Sequence, residues 1–268
     1  MTFLRQDSIG GVLALTFDDV PRRNPIGDEL RAELLEALET ALTDASVRVV
    51  VFTGAGGVFS SGGDLASMPP PSLAAADARL ADLRRLIELV AHSPKPTIAA
   101  VEGYAAGASC GLAAACDVVI ASTTARFLLP FTRLGLVPDA GLLASLPARV
   151  GVAAAKRLLM IGDPITAEAA FAAGLADELV AEGEALIRAT AVAVQLAGRA
   201  PQSIEAIKAA FSAGALDLAA ALDFEAARQR DTYFSAQFAE GKSAFFDKRA
   251  PNFTDDKRTT ERNTHGIA

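Results

Sequence analysis

Cysteine and histidine are scarce in this chain, and their positions exclude the common uses of both. Two cysteines and two histidines occur among 268 residues. Cys110 and Cys116 lie six residues apart in a segment that predicts a single helix, so they cannot form an ordinary disulfide, and we expect a reducing compartment. His92 and His265 have no partner at zinc-ligand spacing, so the sequence predicts no metal site.

Basic clusters and long apolar runs are also missing. The net charge is −7 and no group of lysines and arginines stands out, so we expect neither nucleic acid nor a membrane as a partner. The first residues, MTFLRQDSIGG, lack the apolar core of a signal peptide, and no apolar run reaches about 18 residues. We therefore expect a cytoplasmic protein.

Apolar side chains, by contrast, are plentiful, at 51% hydrophobic against 21% charged residues. This content supports a large core. Apolar runs predict a hairpin over 3–17 and strands at 47–52, 97–101, 117–121 and 126–129. Apolar residues at helical spacing predict one helix that begins at residue 28 and another over 73–91. After Pro138 the same pattern predicts helices at 139–147, 151–161, 166–173, 182–198, 201–213, 216–231 and 233–247. We expect an α/β core over 1–200, a helical region over 201–253 and a polar tail over 254–268.

Two glycine-rich stretches interrupt this pattern: TGAGGVFSSGGDL at 53–65 and PTIAAVEGYAAGASCGLAAAC at 96–116. Neither is a nucleotide-binding fingerprint, because no G-x-G-x-x-G opens a helix and no GK[ST] is present. In the second stretch, small residues leave the N–H groups near Gly107 and Ala108 open to a ligand. At a helix start such groups suit an anion or a developing oxyanion. The alternative is close packing of the helix against a sheet.

Together with later segments, these stretches resemble the crotonase superfamily, the enoyl-CoA hydratase/isomerase family. The later segments are ARFLLPFTRLGLVPDAGLLASLPARVG, GDPITAEAAFAAGLADELV and EGKSAFFDKRAPNF. The resemblance implies an α/β fold of repeated ββα units in a spiral, with a C-terminal helical trimerisation region. It also implies a homotrimer or hexamer, an acyl-CoA thioester as ligand, and no cofactor beyond the coenzyme A of the substrate.

The resemblance assigns an oxyanion hole to this chain, but two carboxylates that hydratases of the family use are replaced. The N–H groups of Gly63 and Ala108 match the pair that grips the thioester carbonyl. The two glutamates of hydratases fall at positions that Gly111 and Phe131 hold here. Ordinary hydration of a 2-enoyl-CoA is therefore poorly supported.

A single carboxylate, Asp139 in LGLVPD, falls where isomerases of the family keep one acidic residue. The epoxyphenylacetyl-CoA isomerase and enoyl-CoA isomerase branch resembles this stretch most closely, and one carboxylate suffices for a 1,3-proton shift. The apolar residues nearby predict a dry pocket that raises the pKa of Asp139; they are Phe131, Leu134, Leu136, Val137 and Leu142. The alternative is that Asp139 caps the helix that follows Pro138.

For coenzyme A, the resemblance assigns two basic residues and several residues of the glycine-rich loops. The basic residues are Arg22, with Arg23 beside it in VPRRNP, and Lys248 or Arg249 in FFDKRAP. The loop residues are Ser61, Asp64, Leu65 and Gly107. Solvated surface charge is the alternative for Arg22 and Lys248. Capping of the following turn is the alternative for Asp64.

The sequence therefore predicts an enzyme that shifts the double bond of an enoyl-CoA through an oxyanion-stabilised thioester enolate, with Asp139 moving the proton. One alternative is a hydratase-type lyase or hydrolase that recruits water through Asp139 or Glu102. Another is a catalytically silent CoA-binding subunit. Substitution of Asp139, followed by separate assays of migration and hydration, distinguishes the three.

Overall fold

The computed structural model describes residues 2–212, 214 and 216–253, which form two compact units. The first unit extends to Ala197, and the second begins at Gly198. The tail predicted for 254–268 lies outside the described residues. Among the described helices, none combines the length and the apolar character needed to cross a bilayer.

The first unit contains two sheets built from short strands. The strands are β1 (Leu4–Ile9), β2 (Val12–Phe17), β3 (Val49–Gly54), β4 (Thr97–Val101), β5 (Tyr104–Ala106), β6 (Val118–Ser122), β7 (Arg126–Leu128), β8 (Ile165–Thr166) and β9 (Glu178–Val180). The larger sheet has the order β1-β2-β3-β4-β6-β9. Its first pair is antiparallel and the other neighbours are parallel. Strands β5, β7 and β8 form the smaller sheet.

Helices follow the strands in the first unit and make up the second. Those of the first unit are α1 (Asp28–Thr43), α2 (Leu73–Ala91), α3 (Ala108–Ala115), α4 (Leu142–Val150), α5 (Val152–Ile161), α6 (Ala167–Ala173) and α7 (Ala185–Ala197). Those of the second unit are α8 (Pro201–Ser212), α9 (Leu218–Tyr233) and α10 (Ala236–Asp247). The side chains of Asp217 and Ser235 cap α9 and α10.

The larger sheet is covered on both faces, which explains why its central strands are apolar without alternation. On one face, Val49, Val51 and Ile98 pack against α7. That helix presents an alanine every fourth residue: Ala185, Ala189, Ala193 and Ala197. Small side chains at this spacing let the helix approach the sheet closely. On the other face lies the larger core, which includes Phe17 and Phe52.

The strands and helices predicted up to residue 130 are confirmed with small shifts of their ends, and so are the six helices predicted from residue 151 onward. The nearly all-helical prediction after Pro138 omitted two strands and placed the start of one helix wrongly. Strands β8 and β9 lie between helices there, and at two and three residues they are too short to show a period. The helix predicted from 139 begins instead at Leu142. Ala140 and Gly141 have φ values of 50° and 74°, which no helix interior accepts.

Candidate active site

The first glycine-rich stretch lies directly on the turn that leads into α3. Ser60 donates its N–H to the Tyr104 carbonyl oxygen (2.8 Å) and accepts the N–H of Ala106 (3.2 Å). Gly62, at φ 88°, then passes so close to Ala106 that a Cβ would lie 2.3 Å from the Ala106 carbonyl oxygen. Only glycine fits this conformation and this approach. The contact brings Gly63 alongside the start of α3.

Ser109 fastens the same two segments from inside the protein. Its buried hydroxyl oxygen accepts the N–H of Ala106 (2.8 Å) and lies 3.1 Å from the Ser60 carbonyl oxygen, to which it can donate. Gly107, with φ 52° and ψ −118°, makes the sharp turn before α3. The two glycine-rich stretches therefore form one locked junction.

Two N–H groups at this junction have no acceptor among residues 2–212, 214 and 216–253. Ala108 is the first residue of α3, and the N–H groups of a first helical turn have no partner within their helix. Gly62 accepts the N–H of Ile26 (2.7 Å), but the N–H of Gly63 takes no part in this contact. These are the two groups that the resemblance assigns to an oxyanion hole, and that role stays a prediction.

Asp139 lies in the turn before α4, and part of its carboxyl is buried without a partner. Its Oδ1 is inaccessible to solvent and has no hydrogen bond within the described chain. Burial raises the pKa of this carboxyl, and the backbone N–H of Asp139 itself and, more weakly, the charge of Arg79 oppose that effect. The residue that caps α4 is Gly141, not Asp139, so the capping alternative is wrong. A raised pKa and an unpaired oxygen suit a general base.

The positions of the two hydratase glutamates lie on either side of the α3 start. Gly111 packs against the Asp139 turn, and a Cβ there would lie 2.4 Å from the Ala140 carbonyl oxygen. Phe131 is 5% exposed, and its ring tip lies 3.8 Å from where Gly107 would carry a Cβ. Where hydratases have carboxylates, this chain therefore has a backbone contact and a buried aromatic ring.

The dry pocket predicted from five apolar residues around Asp139 is wrong for three of them. The side chains of Leu134, Leu136 and Val137 are 49%, 46% and 75% exposed. Leu134 ends a short 3₁₀ turn, Thr132–Leu134, and Leu136 and Val137 lie on the loop that follows it. Phe131 and Leu142 are buried as expected.

The sequence interpretation missed Arg79, a residue of α2 that reaches this site. Its Nη1 donates to Asp28 Oδ1 (3.2 Å) and to Ser67 Oγ (3.0 Å). Its Nη2 lies 3.8 Å from the position a Cβ of Gly63 would occupy. A signal was present: Arg79 precedes Leu83 by four residues, which places it on the same buried face of α2.

Comparison with known proteins identifies the family of this site. Residues 7–257 match the sequence profile described as enoyl-CoA hydratase/isomerase. The chain belongs to the enoyl-CoA hydratase/isomerase family. The predicted family is thereby confirmed.

Relatives within the family carry both kinds of name. The 1,2-epoxyphenylacetyl-CoA isomerase of Escherichia coli (strain K12) is 36% identical over 261 residues, which are 95% of this chain and 99% of that protein. The 2,3-dehydroadipyl-CoA hydratase of the same organism is 39% identical over 246 residues, 90% of this chain and 94% of that protein. The names leave the reaction to be argued from the residues.

A solved structure establishes the fold. The crystal structure of an enoyl-CoA hydratase from Polaromonas sp. JS666 superimposes with a TM-score of 0.87 at 36% identity, over 93% of this chain and 98% of that one. The α/β architecture described above is therefore the crotonase fold, as predicted.

Four of the six residues predicted to bind coenzyme A lie together in this family member. They are Arg22, Ser61, Asp64 and Leu65. Arg22 donates to Asp19 (2.6 Å) and to Asp64 (3.3 Å), and the Ser61 hydroxyl donates to the Arg22 carbonyl oxygen (3.3 Å). Half of the Arg22 side chain is exposed, so the guanidinium can reach a ligand at the surface. Contact with coenzyme A stays a prediction.

Asp64 also caps a turn, and the two predicted contacts outside this group are Gly107 and Lys248. Asp64 accepts the N–H of Ala66 (3.0 Å) and so begins the 3₁₀ turn Leu65–Ser67, which confirms the capping alternative. The side chain of Leu65 is exposed. Gly107 lies in the junction, and Lys248 belongs to the second unit, where it ends α10 in a left-handed conformation.

Glu102 and Cys110 have structural roles outside the candidate active site. Glu102 Oε1 accepts the N–H of Ala185 at the start of α7 (3.1 Å), so this carboxylate serves the helix behind the sheet. Cys110 is buried, and burial raises the pKa of its thiol to about 12, so it is a packing residue. Within the described residues, no cluster of histidine, cysteine, aspartate and glutamate could hold a metal ion.

Proposed function

We propose that this protein is an enoyl-CoA isomerase that moves a double bond by a 1,3-proton transfer, with Asp139 as the single acid–base group. The observation that carries the proposal is the buried, unpartnered Oδ1 of Asp139, close to α3. Gly111 and Phe131 support it, because they leave no second carboxylate at the positions that hydratases use. Glu102 is bonded to α7, so Asp139 is the remaining candidate for the base.

The reaction follows from these groups. The N–H groups of Gly63 and Ala108 bind the thioester carbonyl oxygen, which acidifies the adjacent carbons. Asp139 removes a proton from the carbon next to the carbonyl, and the negative charge moves onto the thioester oxygen. The protonated Asp139 then returns the proton two carbons along. Each N–H donor of such a hole is typically worth about 3 kcal/mol in the barrier.

The lack of a second carboxylate at the hydratase positions favours migration over hydration. Hydration needs a second carboxylate to orient the attacking water, whereas a 1,3-shift needs none. Phe131 is buried against the start of α3 and supplies no group that could hold such a water. The relative named 1,2-epoxyphenylacetyl-CoA isomerase is consistent with this assignment.

We further propose that the second unit mediates assembly into a homotrimer or a dimer of trimers. Its helices and the turn between α9 and α10 expose large apolar side chains: Phe211, Leu218, Phe234, Phe245 and Phe246. Patches of this kind mark protein–protein contacts. Sedimentation equilibrium of the full chain should give three or six times the monomer mass, and a monomer would contradict this part of the proposal.

The reaction is tested with the wild type and the Asp139→Asn variant, each given a 3-enoyl-CoA and a 2-enoyl-CoA. Double-bond migration and hydration are followed separately. We expect migration in the wild type and a loss of 10²-fold or more in the variant, as is typical for a general base. Asp77→Asn, on the exposed face of α2, is the matched control and should behave as the wild type.

Two outcomes would contradict the proposal. Hydration that survives in Asp139→Asn would indicate a hydratase-type lyase. Silence on both substrates, with acyl-CoA still bound, would indicate a CoA-binding subunit.

A further inference from the structure

The guanidinium of Arg79 has an unused donor edge at the active site. Its side chain is only 13% exposed, and Nη1 alone makes both bonds that hold it, to Asp28 and to Ser67. Within the described residues, Nε and Nη2 have no acceptor. A guanidinium carries five N–H donors in a fixed plane, so the greater part of its capacity is free.

The free edge lies next to Gly63. Nη2 is 3.8 Å from the position of a Cβ on Gly63, the residue whose N–H we assign to the oxyanion hole. The charge of Arg79 also lowers the pKa of Asp139, against the larger effect of burial. Arg79 therefore lies beside the residue whose N–H would bind the thioester, and its charge acts on the carboxyl that would move the proton.

The hydrogen bond to Asp28 fixes the position of Arg79, but Asp28 does not need Arg79 as its ion-pair partner. Asp28 is already paired with Arg31, whose Nη2 lies 2.8 Å from Asp28 Oδ1. Both arginines thus share one carboxylate oxygen, and Asp28 would remain paired if Arg79 were absent. The arrangement is that of an anchored guanidinium with its other edge offered to a ligand.

We propose that Arg79 binds an oxygen acceptor on the first few carbons of the acyl chain, so that the preferred substrates are oxygen-bearing acyl-CoA thioesters. This inference rests on the proposed function, because it takes the acyl group to lie between Gly63 and Asp139. A plain alkyl chain would strip water from the free edge and return no hydrogen bond. A site built to bond a substrate oxygen discriminates strongly against the analogue that lacks it.

Binding of non-reacting acyl-CoA thioesters tests this inference without turnover. Butyryl-CoA is compared by calorimetry with 3-hydroxybutyryl-CoA and acetoacetyl-CoA, which add one oxygen at the third carbon. We expect the wild type to prefer the oxygenated ligands about tenfold, the usual value of a charge-assisted hydrogen bond. Arg79→Met should abolish the preference and leave butyryl-CoA binding unchanged or tighter.

A conservative variant and a control variant separate the loss of the donor edge from a general loss of folding. Arg79→Lys keeps the charge and the contact with Asp28 but has no second donor edge, so it should also lose most of the preference even if the methionine variant folds poorly. Arg84→Met, on the exposed side of the same helix where Arg84 pairs with Glu88 (2.7 Å), is the control and should keep it.

The outcomes separate this inference from the proposed function. Equal binding of all three ligands by the wild type, or an equal loss for all three in Arg79→Met, would overturn the role of Arg79 even if double-bond migration depends on Asp139. A preference that vanishes in Arg79→Met and Arg79→Lys supports the role, and it does so even if the migration assay fails.

Discussion

The backbone of Ala140 touches Gly111 so closely that any side chain at position 111 would collide with it. A Cβ would lie 2.4 Å from the Ala140 carbonyl oxygen and 2.6 Å from the Ala140 Cβ. Ala140 has a φ of 50°, so the Asp139 turn is held in a conformation that follows the surface of α3. Gly111, which stands where hydratases have a glutamate, is thus also the residue against which the Asp139 turn packs.

Gly111→Ala should destabilise the protein even though it replaces glycine by the best helix former. Relief of the clash requires the Ala140 backbone to move, and overpacking of this kind costs about 1–3 kcal/mol. Gly241→Ala in α10 is the matched control, because a Cβ there meets only the Phe253 ring at 3.7 Å. The control should stabilise the chain by up to about 1 kcal/mol. Thermal unfolding midpoints that shift in the same direction for both variants would contradict the contact.

Adjacent glycines in the first loop should respond differently to alanine. Gly62→Ala places a Cβ 2.3 Å from the Ala106 carbonyl oxygen at a φ of 88°, and we expect a loss of at least ~2 kcal/mol in the free energy of unfolding. Gly63→Ala meets only the ends of two flexible side chains, Met68 Cε at 3.0 Å and Arg79 Nη2 at 3.8 Å, and should cost less than ~1 kcal/mol. Since Gly63→Ala keeps its N–H, it should also keep most activity. Urea denaturation and the migration assay together check the pair, and equal losses would refute it.

Much of this site could be predicted from the sequence because its features are local. The runs of glycine and alanine predict accessible N–H groups at Gly63 and Ala108, and the LGLVPD segment predicts the role of Asp139. Strands β1–β4, β6 and β7 follow from apolar runs, α1 and α2 follow from hydrophobic period over windows of a dozen residues, and α3 follows from its run of small residues. The order of the family segments then supplies the fold.

What the sequence could not supply depends on contacts between distant segments. The spacing from Leu83 places Arg79 on the buried face of α2, but the sequence does not indicate that it reaches Gly63, because that contact is set by tertiary packing. Leu134, Leu136 and Val137 were expected to be buried because they are apolar, but apolar residues also occupy surfaces. The short strands β8 and β9 exist only through pairing with distant partners.

Asn24 should be the most sensitive polar residue of the loop that carries Arg22. It is fully buried, its Nδ2 donates to the carbonyl oxygens of Ala55 (2.9 Å) and Val58 (2.7 Å), and its Oδ1 accepts the N–H of Asp19 (2.9 Å). Asn24→Ala leaves three backbone groups unpaired and should cost about 3 kcal/mol by urea denaturation. Asn24→Asp keeps the oxygen that accepts the Asp19 N–H but turns a carboxylate oxygen toward two carbonyl oxygens. The aspartate variant should therefore be no more stable than the alanine variant. An aspartate variant near wild-type stability would show that the two donor bonds contribute little.

The pH dependence of migration should report Asp139. Its carboxyl must be ionised to accept a proton, and burial raises its pKa, so kcat/KM should fall with acidification at a pH above the ordinary aspartate value of about 3.9. Arg79 lowers this pKa, so Arg79→Met should move the acid limb to higher pH. An unmoved limb would place the titrating group elsewhere.

Asp139→Asn should stabilise the protein at neutral pH while abolishing activity. Because the folded-state pKa of Asp139 is raised, folding favours its protonated form. The stability that this preference supplies is fully present below the unfolded pKa, near 3.9, and is lost as the pH rises through the folded pKa. At neutral pH the wild type carries a partly buried carboxylate where the variant carries a neutral amide. The variant should therefore have the higher free energy of unfolding at neutral pH, and the difference should shrink towards zero near pH 4. Urea denaturation at the two pH values measures it, and a difference of equal size at both would mean that asparagine acts through packing and not through charge.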